Sequence, residues 1–177
     1  MPSAFIYRVY LRPKQKLIFS FHGLPKRNLE LGDPYHCECH ETARLIAEKL
    51  SLNESQWQLT FQSRFGKAEW LQPYTIKTME DLPKQGIKTI DVFCPGFSAD
   101  CIETLEEINM ENRGVFLDAG GEAFNYIPAL NVEDAHIDAL ANIIIQHTQG
   151  WPESSLDYQA PDQKIIKERA MKMGAKH

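Results

Sequence analysis

Short apolar segments alternate along the chain with segments that carry a helical pattern. Strand-forming residues are concentrated in four runs, at 16–21, 57–62, 89–94 and 124–127. After the first run, apolar residues recur at the spacing of one helix face: Ala43, Ile46, Ala47 and Leu50. Further helical patterns follow at 75–85 and 135–147. Strands that alternate with helices predict an α/β fold, with a Rossmann-like parallel four-stranded sheet flanked by helices.

The alternating pattern stops at Gly150, Trp151 and Pro152. A domain is therefore predicted over residues 1–150, followed by a basic tail over residues 151–177. Residues 1–15 show no clear period and are interpreted as the remains of an earlier element. The tail has two open interpretations, a solvated or partly unstructured helix and a basic face that rests on a partner or a membrane surface. Its basic residues are Lys164, Lys167, Arg169, Lys172 and Lys176.

Composition narrows the functional classes only slightly. The hydrophobic content of 43% and the charged content of 24% are ordinary for a soluble globular protein. A net charge of −5 argues against a nucleic-acid-binding face, which usually shows a basic surplus. The chain lacks an apolar run near the ~20 residues of a membrane span, and its N-terminus lacks a secretory pattern. The expected location is the cytoplasm, with peripheral membrane association as the alternative.

Two acid–base side chains are predicted to lie just past strand ends. His22 closes the first predicted strand, and Glu103 follows the third. If these strands are neighbours in a parallel sheet, both side chains rise from the same edge. An imidazole facing a carboxylate suits proton transfer or the binding of a divalent cation. Spacing alone also allows His22 to be an ordinary loop residue.

Glu103 has two interpretations within the helix predicted after the third strand. Asp100 followed by Glu103 fits a capping box, in which the glutamate reaches back to the helix N-terminus. Alternatively, Glu103 and Glu107 are four residues apart and share a helix face, where their carboxylates repel each other. Repulsion between two carboxylates suits a cleft that handles cations. The buried face of the same helix is predicted to consist of Ile102, Leu105 and Ile108.

Residues 36–40, with the sequence H-C-E-C-H, form a second group of potential metal ligands. In a helix, His36 and His40 would share a face, and imidazole with thiolate suits zinc. However, no second ligand pair follows at zinc-finger spacing, and the pattern does not match an iron–sulfur cluster. We interpret the segment as a helix N-terminus with adventitious metal affinity, and we expect reduced cysteines and no iron–sulfur cluster.

Other common site patterns are missing from the sequence. It contains neither nucleotide-binding glycine fingerprint, and no serine lies in the G-x-S-x-G setting of a hydrolase. Trp70 lies on a predicted loop between Arg64 and Pro73. With Arg64 it would suit a flat aromatic ligand that carries acidic groups, although covering the edge of the core is an equal alternative.

Five segments in this chain resemble the ferrochelatase family. In family order they are S-F-H-G-L-P at 20–25, F-Q-S-R-F-G at 61–66, W-L-Q-P-Y-T at 70–75, C-P-G-F-S-A-D-C-I-E-T-L-E-E at 94–107 and Y-I-P-A-L-N at 126–131. The resemblance covers about residues 17–149. It implies a lyase of haem biosynthesis that inserts Fe²⁺ into protoporphyrin IX to form protohaem. Iron is then a substrate, and no prosthetic group is expected.

The resemblance also implies roles for individual residues. His22 and Glu103 would face each other across the porphyrin, and each would act as both base and metal ligand. Glu107 would relay protons or metal, and the helix around residues 100–107 would be wound as a π-helix. Trp70 and Phe97 match pocket positions of the family. Arg64, on the same predicted loop as Trp70, is also expected to bind the substrate.

Ferrochelatases have two similar α/β halves with the porphyrin between them, and this chain resembles only the second. The expected partners are therefore porphyrin, Fe²⁺ and the missing N-terminal half, with residues 1–15 replacing or truncating the inter-domain helix. Whether the fragment is active alone stays open, and so does the choice of protoporphyrin or coproporphyrin as the substrate. The alternatives are a chelatase for another metal or tetrapyrrole and a non-catalytic module that binds a porphyrin or a partner.

Overall fold

A computed structural model of the chain describes residues 15–176. The four predicted strands are all present, and the sheet is parallel throughout. Its spatial order is β2-β1-β3-β4. The strands are β1, Gln15–His22; β2, Trp57–Gln62; β3, Thr89–Phe93; and β4, Ala123–Ile127. The predicted α/β class with a four-stranded parallel sheet is therefore confirmed. The interpretation of residues 1–15 lies outside the described residues, except at Gln15.

Helices connect these strands and cover both faces of the sheet. In chain order they are α1, Lys26–Glu30; α2, Tyr35–Lys49; α3, Thr75–Asp81; a π-helix, Glu103–Asn112; and α4, Arg113–Asp118. Short 3-10 turns occupy Glu54–Gln56 and Pro83–Gln85. The predicted helix at 75–85 is thus split into α3 and a 3-10 turn, since Pro83 lacks the N–H that a continuing helix needs.

Two apolar clusters lie on opposite faces of the sheet, because successive side chains of a strand point to opposite sides. The α2 face includes Leu17, Phe19, Phe21, Ala43, Ala47 and Phe61. The π-helix face includes Ile18, Ile90, Val92, Cys94, Ile108 and Phe116. The carboxyl ends of β1, β2 and β3 meet at one edge, where sites of parallel α/β proteins are built.

Residues from Val132 onward form a second compact unit, separate from the unit that ends at Asn131. It contains α5, Asp134–His147; a 3-10 turn, Pro152–Ser154; and α6, Gln163–Lys172. The Asp162 side chain caps α6 by accepting a hydrogen bond from the Lys164 backbone N–H (2.8 Å). Among the described helices, none combines the length and the apolar character that a membrane crossing requires. The domain boundary predicted at residue 150 stays a prediction.

Candidate active site

His22 is the last residue of β1, and hydrogen bonds hold both its ring and its backbone. The imidazole Nδ1 donates a hydrogen bond to the carbonyl oxygen of Gly23 (2.7 Å), since a carbonyl can only accept. Tyr35 Oη, from the first turn of α2, donates to the backbone carbonyl of His22 (2.8 Å). With the proton on Nδ1, the lone pair of Nε2 is the one that can take a proton or bind a metal.

Gly23 is required by the close approach of the two strand ends. Its N–H donates to the carbonyl oxygen of Gln62 (2.8 Å). A Cβ at this position would lie 2.8 Å from that oxygen and 3.1 Å from the indole ring of Trp70. The Trp70 ring itself lies 6.3 Å from the imidazole of His22, centroid to centroid. The glycine therefore lets Trp70 and His22 lie side by side at the sheet edge.

The π-helix was implied by the resemblance around residues 100–107, and the structure has it at Glu103–Asn112. Its buried residues are Thr104, Ile108 and Asn112. The predicted buried face is therefore wrong at two of its three positions, because Ile102 is 66% exposed and Leu105 is 46% exposed. A π-helix has a wider turn than the 3.6 residues of an α-helix, so residues four apart line up on its inner side.

The capping-box interpretation of Asp100 and Glu103 is also wrong. The π-helix has no side-chain cap at its N-terminal residue, and the Asp100 carboxylate accepts hydrogen bonds from β4, from the loop after it and from a threonine side chain of the π-helix. Its donors are Tyr126 Oη (2.6 Å), Asn131 Nδ2 (2.9 Å), the Ala129 N–H (3.2 Å) and Thr104 Oγ1 (3.2 Å). Asp100 thus anchors the segment between β3 and the π-helix.

Glu103 interacts with its predicted partner across the sheet edge. Strands β1 and β3 are hydrogen-bonded neighbours, so the condition set by the sequence is met. Hydrogen bonds from the Cys101 thiol and from its own backbone N–H lower the pKa of Glu103, and the nearby His22 lowers it further. The Glu103 carboxylate is therefore ionised at neutral pH.

Glu107 is held more tightly than Glu103. One carboxylate oxygen accepts the Ser63 backbone N–H (2.6 Å), and the other accepts Ser63 Oγ (2.6 Å). Ser63 has a φ of 63°, an unusual value for a residue with a side chain. Sequence reasoning missed Ser63, although it lies inside the F-Q-S-R-F-G segment that carries the resemblance.

Gln62 is the second residue that sequence reasoning missed. It is 2% exposed, and its Nε2 donates to the backbone carbonyl of Glu103 (2.9 Å). In the sequence of β2, polar residues alternate with apolar ones, and this pattern is typical of a strand with one face in solvent. Instead, both Thr60 and Gln62 are buried. Thr60 Oγ1 accepts a hydrogen bond from Thr75 Oγ1 of α3 (2.9 Å), and Gln62 also accepts one from Ser20 Oγ (2.7 Å).

An open, shallow groove of about 420 Å³ runs along the outer side of the π-helix. Its walls combine four glutamates with the apolar side chains of Phe65 and Ile102; the glutamates are Glu103, Glu106, Glu107 and Glu111. Phe65 is 82% exposed. Arg64 also lines the groove, and its guanidinium lies 5.0 Å above the ring of Tyr74. Four carboxylates beside two apolar side chains suit a cation next to an apolar surface, and Arg64 is the positive charge among these lining residues.

The other predicted site residues lie in different surroundings. Phe97 is partly buried and packs against the core cluster of the π-helix face. His36 and His40 share a face at the start of α2, as predicted, with ring centroids 4.5 Å apart. Burial, and secondarily His36, lower the pKa of His40. Within residues 15–176, no set of three or more His, Cys, Asp or Glu side chains is arranged to hold a metal ion.

Comparison with known proteins identifies relatives of this site and fold. The ferrochelatase family model matches residues 6–148. The chain is 60% identical to the ferrochelatase of Marinobacter nauticus over 144 residues, covering 80% of this chain and 39% of the relative. It is 55% identical to that of Thioalkalivibrio sulfidiphilus over 165 residues, covering 91% and 45%. It is 57% identical to that of Janthinobacterium sp. over 164 residues, covering 90% and 45%. The chain therefore spans less than half the length of these curated relatives.

Proposed function

Because the chain belongs to the ferrochelatase family, we propose that it forms one half of an enzyme that inserts Fe²⁺ into protoporphyrin IX to yield protohaem. The observation that carries the proposal is the pairing of His22 with Glu103. His22 ends β1, and Glu103 opens the π-helix that follows the neighbouring strand β3, close enough for His22 to lower the pKa of the carboxylate. Porphyrin and Fe²⁺ are the substrates, and no prosthetic group is required.

The chemistry explains why a base and a carboxylate are needed together. Metal insertion must remove two protons from the pyrrole nitrogens and must strip the incoming cation of its water. His22 Nε2, left with a lone pair by the hydrogen bond of Nδ1, can accept a proton or bind the ion. The ionised carboxylate of Glu103 can also accept a proton or bind the ion, from the opposite face of the porphyrin. Two ligands bind a cation weakly, which suits an ion that must move on.

The remaining groups would orient the macrocycle and supply the path. Glu107 would relay protons or metal, although both of its oxygens must first leave Ser63. Trp70 beside His22 and the apolar walls of the groove would contact the flat ring system. Arg64 would pair with an acidic substituent of the porphyrin, and Phe97 would support this wall from the core.

The second wall of the porphyrin pocket would come from the part of the relatives that this chain does not cover. We place the protein in the cytoplasm, where α6 could make a peripheral membrane contact through Lys164, Lys167 and Lys172. A net charge of −5 gives no support to a nucleic-acid partner.

The test is metal insertion by this chain with and without the remaining segment of the Marinobacter nauticus ferrochelatase supplied as a second chain. Insertion of Fe²⁺ into protoporphyrin is followed by absorbance, with coproporphyrin in parallel. We expect activity on complementation and a loss of roughly 10²-fold or more in His22→Ala, as general acid–base catalysis contributes. His147→Ala, in the second unit, is the matched control.

Two results would redirect the proposal. Equal activity of the original protein and His22→Ala would refute the catalytic role of the imidazole. Porphyrin binding without turnover, even after complementation, would favour a binding module, and turnover with another metal or tetrapyrrole alone would favour a different chelatase.

A further inference from the structure

The last residue of strand β2 contacts the backbone of Glu103 and the backbone of Gly23, the residue after His22. The carbonyl oxygen of Gln62 accepts the N–H of Gly23 (2.8 Å), which fixes the chain immediately after His22. The side chain of the same residue donates from Nε2 to the carbonyl oxygen of Glu103 (2.9 Å). One glutamine therefore connects the histidine loop to the first residue of the π-helix.

The Gln62 amide has one orientation available. Its oxygen accepts hydrogen bonds from Ser20 Oγ (2.7 Å) and Cys94 Sγ (3.6 Å). Burial, and then the nearby carboxylates, raise the pKa of Cys94 to about 12, so the thiol keeps the proton that it donates. The carbonyl of Glu103 can only accept, so the amide nitrogen must face it. Both ends of the amide are thus assigned by their partners.

Ser63, the next residue, binds the π-helix one turn further on, at Glu107. Its N–H and hydroxyl bind both carboxylate oxygens of Glu107. The left-handed φ of 63° at Ser63 is unfavourable for a residue other than glycine, and it persists only where surrounding contacts impose it. The two consecutive residues therefore hold two acidic residues four positions apart on the π-helix, Glu103 by its backbone carbonyl and Glu107 by its carboxylate.

We propose that Gln62 is a positioning residue, with Ser63 as its extension, that sets the placement of Glu103 and Glu107 relative to His22 for metal insertion. The inference rests on the proposed function. If Gln62 only filled space, an apolar side chain of the same size could replace its buried amide. The residue must donate toward the π-helix and accept from β1 and β3 at the same time.

A carboxyl group in place of the amide separates this role from packing. In Gln62→Glu, a protonated side chain can still donate its O–H to the Glu103 carbonyl and accept from Ser20. Once ionised, it presents only acceptors and repels that carbonyl. Burial raises the pKa of a carboxyl group above its usual value of about 4.3. The change from donor to acceptor is therefore expected to fall between about pH 5 and pH 8.

The experiment compares the original protein with Gln62→Glu, Gln62→Leu and Gln58→Glu between pH 5.5 and pH 8. Gln58 is the matched control, since it lies in the same strand but lines a different pocket, away from Glu103. Metal insertion is measured in the complemented enzyme. Amide hydrogen exchange over residues 103–112 is measured in the chain alone, corrected for the intrinsic pH dependence of exchange.

We expect Gln62→Glu to lose about tenfold in kcat at pH 8, with little change in KM for porphyrin, and to approach the original protein near pH 5.5. Exchange over residues 103–112 should accelerate about tenfold over the same pH range. Gln62→Leu should be impaired at every pH, and Gln58→Glu should behave as the original protein.

The outcomes separate this inference from the proposed function. If the original protein inserts metal and Gln62→Glu matches it at every pH, the positioning role is refuted and the function stands. If Gln62→Glu loses activity equally at every pH, the glutamine only fills space, which also refutes the role. If no protein inserts metal, the proposed function fails, and the exchange data alone decide whether Gln62 holds the π-helix.

Discussion

Replacement of Asp100 by asparagine should destabilise the domain through one defined contact. Asp100 Oδ1 accepts from Tyr126 Oη (2.6 Å), and Asp100 Oδ2 accepts from Asn131 Nδ2 (2.9 Å). In Asp100→Asn, the new Nδ2 replaces one of these oxygens and faces a donor. The Asn131 amide cannot turn over without cost, because its oxygen already accepts the Asp100 backbone N–H (2.9 Å).

The size of the effect follows from the lost bond. A hydrogen bond to a charged group contributes about 1.5–3 kcal/mol, and the bonds that remain become neutral and weaker. We expect a loss of about 2–3 kcal/mol in the free energy of unfolding. For a unit of this size that corresponds to a fall in Tm of roughly 10 °C. The phenol keeps its proton and stays a donor, since burial and Asp100 both raise the pKa of Tyr126.

The pH dependence gives the prediction a second, independent readout. Burial of Asp100 raises its pKa, but the hydrogen bonds from Asn131, Tyr126 and Ala129 outweigh burial, so the pKa in the folded state is lowered. A depressed carboxyl pKa adds stability that is complete above the unfolded value of about 3.9 and is lost as the pH falls through the folded value. The difference between the two proteins should be constant from pH 8 to about pH 5 and should narrow below about pH 4.

The assay is urea unfolding followed by far-UV circular dichroism across this pH range. Asp118→Asn is the matched control, since Asp118 is exposed on α4 and undergoes the same change of charge. It should unfold as the original protein does. Equal stability of Asp100→Asn and the original protein at pH 7 would refute the reasoning, as would a difference that stays unchanged below pH 4.

Two further substitutions test the geometry around His22 and Glu103. Gly23→Ala places a Cβ 2.8 Å from the carbonyl oxygen of Gln62 and 3.1 Å from the indole of Trp70. We expect the free energy of unfolding to fall by about 1–3 kcal/mol, measured by urea unfolding. We expect kcat/KM of the complemented enzyme to fall at least tenfold, measured by metal insertion. Cys101→Ala removes the thiol that most lowers the pKa of Glu103; the acidic limb of the pH–rate profile should move to higher pH.

Both substitutions have matched controls in the same chain. Gly114→Ala introduces a Cβ in α4 with no atom within 4 Å, so it should leave stability unchanged or raise it by about 0.4–1 kcal/mol. Cys37→Ala removes an exposed thiol at the start of α2. An unchanged pH–rate profile in Cys101→Ala, or full activity in Gly23→Ala, would contradict the assigned contacts.

Periodicity predicted the strands well, because each of them buries one or both faces. The run at 16–21 is apolar at nearly every position, and β1 is indeed buried on both sides, with Leu17, Ile18 and Phe19 at most 2% exposed. Strand order does not follow from periodicity. The pairing of β1 with β3, which brings His22 toward Glu103, could be stated only as a condition until the structure showed it.

The residues around the π-helix were predicted less well, for a physical reason. A period of 3.6 residues assigns Ile102 and Leu105 to the inner face, but the wider winding turns them outward. The alternation in β2 assigns Gln62 to solvent, but the π-helix covers it. Sequence patterns assume that polar side chains face water, so they do not find a buried polar layer that holds a helix in position.

The π-helix segment buries a polar side chain and exposes an apolar one, and both features are unfavourable for the domain alone. Asn112 is buried and donates to the Glu107 carbonyl (2.7 Å), yet its Oδ1 has no partner within the described residues. Such an unpaired group costs about 1–3 kcal/mol, and the exposure of Ile102 forgoes further hydrophobic stabilisation. An α-helical winding would turn Ile102 inward. The π-winding is therefore unfavourable by itself, and under the proposed function a bound porphyrin that covers Ile102 would offset part of this cost.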